Sequence, residues 1–89
     1  MDANLIMQPD GGITDIVPAS GKHYTLKEIQ GYLDGGYVEM VAIPGDNKRV
    51  ALVDEEGLLK GLDINPGATL LLRRTIVGKC VVVPRSTFR

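Results

Sequence analysis

After Lys79 the chain runs Cys80-Val81-Val82-Val83 with no polar residue and no alternation, so a strand here has apolar side chains on both faces. Such a strand belongs inside a sheet and needs cover above and below it. With 89 residues the chain has room for one core and no linker, so residues 1–89 read as a single compact domain. A second copy of the same chain, in a two-fold dimer or higher closed assembly, is the expected source of part of that cover.

The remaining elements follow from local chemistry. Asn4 to Gln8 and Ile13 to Val17 read as strands joined by the turn Pro9-Asp10-Gly11-Gly12. Tyr37 to Ile43 and Arg49 to Val53 read as a second hairpin around Pro44-Gly45-Asp46-Asn47. Between the hairpins, Thr25 and Glu28 have capping-box spacing, Tyr24 can staple onto Ile29, and Leu26, Ile29 and Leu33 make one apolar helical face that ends at Gly35 or Gly36. Asn65-Pro66 is a good helix start, with Asn65 as cap and Pro66 where its missing N–H is harmless. Gly67 to Leu72 then forms a short helix, although Thr69 to Arg73 can also be read as a strand. The expected class is α+β: a small, mainly antiparallel sheet of four to five strands with one main helix and a short second helix. A helix of about ten residues is roughly 15 Å long and covers part of one sheet face only. A homo-oligomer, a dimer or higher, is therefore expected to cover the other.

Charge narrows the function classes. The net charge is −1, too little positive charge for a protein that grips a nucleic-acid backbone. All 11 acids lie at or before Asp63, where five cations oppose them, and everything after is basic: Arg73, Arg74, Lys79, Arg85 and Arg89. No apolar stretch approaches the roughly 20 residues that span a bilayer. A lone Cys80 and an acidic Met1-Asp2-Ala3-Asn4 start point to a reducing cytoplasm.

Catalytic and metal chemistry find few candidates. One histidine and one cysteine are too few for a zinc site, and the glycines form neither a dinucleotide fingerprint nor a phosphate loop. No cofactor and no enzyme activity are expected. His23, between Lys22 and Tyr24, is a candidate ligand-contacting imidazole. Arg73-Arg74 is the pair best suited to phosphate, because guanidinium forks match phosphate oxygens in bidentate geometry.

The order Tyr24-Thr25-Leu26-Lys27-Glu28-Ile29-Gln30, Gly35-Gly36-Tyr37-Val38-Glu39, Val53-Asp54-Glu55-Glu56-Gly57-Leu58-Leu59-Lys60-Gly61-Leu62, Asn65 and Ile76-Val77-Gly78 resembles a family of small domains of unknown function from bacteriophages, plasmids and bacterial mobile elements. The resemblance covers Leu5 to Val83 and weakens in the compact Asn65 to Arg74 segment. It implies a phage or mobile-element origin and, by analogy with other small phage proteins, a role against host defence. On that reading the chain is a non-enzymatic protein that sequesters a nucleotide-derived immune signal of cyclic nucleotide or ADP-ribose type. Arg73, Arg74, Lys79 and Arg85 would meet phosphates, Asn65 and Thr69 hydroxyls or a base edge, and Tyr24 or Tyr37 would stack on a base. The alternative is a protein-binding inhibitor of a host defence protein, acting as an acidic nucleic-acid mimic or a surface cap.

Overall fold

The computed structural model describes residues 4–88; Met1-Asp2-Ala3 and Arg89 of the basic tail lie outside them. Five strands, β1 (Leu5–Met7), β2 (Ile13–Asp15), β3 (Val38–Ile43), β4 (Asp46–Asp54) and β5 (Cys80–Pro84), form one antiparallel sheet in the order β2-β1-β5-β4-β3. Helix α1 (Leu26–Tyr32) follows β2, and α2 (Pro66–Leu72) precedes β5. The α+β class and the antiparallel sheet are as the sequence predicts, and the run of valines is the central strand.

Every residue of β5 is buried. Val81 and Val83 point into one layer with Ile6, Val50 and Leu52, covered by Tyr24, Ile29 and Leu33. Cys80 and Val82 point the other way, with Val41, Ile43, Ala51 and Val53, under Ala68, Leu72 and Ile76. Full burial of a valine stabilises the fold by about 1.5 to 3 kcal/mol, so this strand is the energetic centre of the molecule. The second face is thus covered by α2 and the segment after it, not by a partner chain. This corrects the premise from which an oligomer is expected.

Both helices start where their caps predict. Thr25 Oγ1 accepts the Glu28 N–H at 3.1 Å, and Tyr24 and Ile29 are both fully buried in one layer, as a staple requires. The capping box is only half formed, because Glu28 Oε2 accepts the Ala19 N–H at 2.8 Å, fastening the preceding loop. Asn65 caps α2, which rules out the strand reading of Thr69 to Arg73. Gly67 of α2 packs against the tip of the Met7 side chain, where a Cβ would stand 2.8 Å from Met7 Cε and push that flexible side chain aside. The second hairpin is longer than predicted, since β4 already pairs at Asp46. Ile43 faces Asp46 and Ala42 faces Val50, leaving Asn47 to Arg49 as an irregularity on β4.

Candidate functional site

The strongest concentration of unexplained features lies where β4 ends. Asp54, whose side chain is 2% exposed, receives Lys60 Nζ on Oδ2 at 2.7 Å and the Glu56 N–H on Oδ1 at 2.8 Å. These contacts fold residues 55–61 into a tight series of turns, supported by Gly57 N–H to Asp54 O, Lys60 N–H to Glu56 O and Leu62 N–H to Gly57 O. Gly57 lies so close to Val77 that a Cβ would sit 2.7 Å from Val77 Cγ2. Gly36, at φ 86°, passes under the ion pair, where a Cβ would stand 3.1 Å from Lys60 Nζ. Lys60 is held above its ordinary pKa chiefly by the hydrogen bond to Asp54, so it stays charged throughout the physiological range.

This fastened loop carries two adjacent leucines outward. Leu58 is 79% exposed and Leu59 86%, and neighbouring Tyr37 is 68% exposed. Leu59, Tyr37, Glu55 and Glu56 surround an open hollow of about 400 Å³. Leu58 stands on the opposite flank among Val77, Glu39 and Arg74. A rigid, acidic loop with apolar tips can make a contact surface; it offers no nucleophile with a general base beside it.

The residues expected to form a nucleotide cage are not assembled into one within the chain. Lys79 and Arg85 flank β5 at its two ends, six residues and so roughly 20 Å apart. Lys79 Nζ lies 3.4 Å from Asp34 Oδ2, beside a cleft of about 170 Å³ lined also by Asp54 and Asp63. Arg74 pairs with Glu39 at 2.9 Å. Arg73 is the left-handed cap of α2, at φ 58°.

Three assignments are corrected outright. Asn65 is fully buried: its amide donates to Met7 O at 2.9 Å and Gly78 O at 2.8 Å while Oδ1 accepts from the Ala68 N–H. It ties β1, α2 and the approach to β5 together and presents no surface to a ribose hydroxyl. Thr69 Oγ1 bonds both the N–H and the carbonyl of Ile76, at 2.9 and 3.3 Å, holding the chain after α2. Tyr24 is fully buried between sheet and α1, and burial pushes its phenol up to about 12, so its ring cannot stack on a base at the surface.

His23 and Tyr37 remain accessible but lie apart. His23 lines an open hollow of about 350 Å³ with Ser20, Lys27 and Glu28, away from the residues that line the hollow at Tyr37. Leu58, Leu59 and Lys60 are the residues of this candidate site that sequence reasoning misses. Their one signal is an apolar pair placed inside a turn of acids and glycines, Glu55-Glu56-Gly57-Leu58-Leu59-Lys60-Gly61.

Among the described residues no cluster of three or more His, Cys, Asp or Glu is arranged to hold a metal ion, and no helix is long and apolar enough to cross a membrane. Comparison with curated proteins and with solved structures finds no match. The profile of one protein family matches residues 3–87, nearly the whole chain. That breadth of match, over a chain whose order of motifs already resembles such a group, places the protein in the family described as Domain of unknown function (DUF3846).

Proposed function

We propose that this chain is a non-enzymatic binding protein that docks onto another protein through the loop of residues 55–61. The observation that carries the reading is the pair Leu58 and Leu59, held out to solvent on a loop fastened by the ion pair of half-exposed Lys60 with buried Asp54. Leucines exposed singly are common, but Leu59 shares an open hollow with exposed Tyr37, a residue type enriched at the centre of protein contacts, and Leu58 extends the apolar surface on the other flank of the same loop. Glu55 and Glu56 beside them favour a partner whose apolar patch is rimmed by lysine or arginine. That the partner belongs to a bacterial defence system rests on the mobile-element setting implied by the family resemblance. This is the surface-cap form of inhibition. Nucleic-acid mimicry has less support, because Asp34, Glu39, Asp46 and Asp54 are all paired with cations of the same chain.

The test is photo-crosslinking in bacteria from a benzophenone amino acid at Leu59, with the same probe at exposed Lys22 as control. A protein captured at residue 59 alone, whose binding to the purified chain is lost in the Leu58→Ser/Leu59→Ser variant and weakened by salt, supports the reading. Equal capture at both positions, or unchanged binding of the double variant, removes it. A parallel incubation with cyclic di- and trinucleotides and cyclic ADP-ribose decides the sequestration reading: a nucleotide retained and released intact on heating would move the function there.

A further inference from the structure

The two edges of the sheet differ in a way that identifies a second interaction surface. β2 has three residues and ends in the charged Asp15, which makes it a poor template. β3 has six, contains neither lysine nor proline, has its one charge, Glu39, paired with Arg74, and is regular, because the irregularity of its hairpin lies on β4. Long, regular, unguarded edges invite another strand.

The hydrogen-bond pattern fixes which groups of β3 are unpaired. Glu55 N–H donates to Tyr37 O at 2.9 Å, in register with Val38 opposite Asp54. Bonded pairs alternate along an antiparallel ladder, so Tyr37, Glu39 and Val41 bond to β4 while Val38, Met40 and Ala42 direct N–H and C=O to the outer edge. The side chains of these three residues share the α1 face, yet α1 does not reach the outer two: Met40 is 48% exposed and Ala42 is exposed.

We infer that β3 pairs antiparallel with β3 of a second copy, about a two-fold axis through Met40. In that register Met40 faces the partner's Met40 and Val38 faces the partner's Ala42, giving six backbone hydrogen bonds and a continuous apolar stripe across the junction. The neighbouring registers fail on identifiable residues. Moving the axis to Val41 sets Val38 opposite Pro44, which has no N–H to give. Moving it to Glu39 puts two carboxylates directly opposite each other. With the axis at Met40, Glu39 faces the partner's Val41, and the two Glu39–Arg74 pairs lie diagonally across the axis as a ring of alternating charge. Each Arg74 then has a second carboxylate to meet.

Six residues a side is far below the roughly 20 to 30 of a standard interface, so the dimer is reversible and concentration-dependent. This contact is separate from docking by Leu58 and Leu59 and stands or falls without it.

Sedimentation equilibrium and light scattering across a wide concentration range test the inference. The mass should rise from 9.6 kDa to twice that value, and amide exchange at Val38, Met40 and Ala42 should slow as it does. Met40→Pro removes an outward N–H only, a substitution that edge strands tolerate, so it should fold, keep its far-UV circular dichroism and stay monomeric. Met40→Arg leaves the backbone intact and sets two guanidinium groups on the axis, so it should also be monomeric; it decides the matter even where the proline variant fails to fold. A wild-type mass of one chain at every concentration, or a Met40→Arg chain that dimerises like wild type, overturns the inference.

Discussion

Three hydrogen bonds converge on the side chain of Asn65, and all of it is buried. Removing a buried partner costs more than the bond itself, because Met7 O and Gly78 O would remain out of contact with water. We expect Asn65→Ala to lose about 3 kcal/mol of stability in urea titrations, from one lost cap and two unsatisfied carbonyls. Asn65→Asp should be worse, since it keeps the cap acceptor but turns a carboxylate oxygen toward both carbonyls. Asp46 shows the same economy at the surface. The Arg49 guanidinium at 2.6 Å, followed by the N–H groups of Lys48 and Arg49, lowers its carboxyl from 3.8 to about 2. A carboxylate with a depressed folded pKa stabilises the fold above its unfolded value, and that contribution disappears as pH falls through the folded one. Between about pH 4 and pH 2, wild-type stability should therefore fall more steeply than that of Asp46→Asn, as read by denaturant midpoints at each pH.

At the scale of elements, α2 ends on a residue that its backbone does not favour. Arg73 caps the helix at φ 58°, its N–H bonded to Thr69 O, in a region that costs an ordinary L-residue about 1 kcal/mol. Glycine relieves that strain but loses more entropy on folding, so Arg73→Gly should gain about 0.5 kcal/mol net, whereas β-branched Arg73→Val should lose 1 kcal/mol or more, roughly. Thermal melts of the two variants beside wild type check both directions. The caps of α1 and α2 and the burial of β5 are legible in the sequence because each rests on neighbouring residues or an unbroken run. What α2 covers is not: seven residues give barely two turns, and Leu70 is exposed while Leu72 is buried. The ion partners are not legible either, since Arg74 meets Glu39 and Lys79 meets Asp34 only after the sheet has formed. A run of cations after Asp63 therefore reads as a vacant basic patch in one dimension, although two of its members are neutralised in three.

In the whole molecule the two layers meet across the sheet, and Cys80, on the central strand, reports on the layer under α2. It is fully buried, and burial pushes its thiol up to about 12, so almost no thiolate exists near neutral pH in the folded state. Its side chain points into the α2 layer, packed with Ala68 and Leu72, on a strand paired with β1 and β4, so α2 must leave the sheet before a reagent reaches the thiol. Labelling by a maleimide should then follow any opening that lifts α2, and its rate should change with the stability of that layer. If Asn65→Ala loses about 3 kcal/mol, its Cys80 should react roughly 100-fold faster than wild type, because each 1.4 kcal/mol is a factor of ten in the open population. A substitution confined to the exposed loop, Leu58→Ser/Leu59→Ser, should leave the rate within about twofold, since it removes little buried surface. Acceleration in the second case would mean that the loop of residues 55–61 helps to close the core, and its leucines would then owe their position to folding and not to a partner.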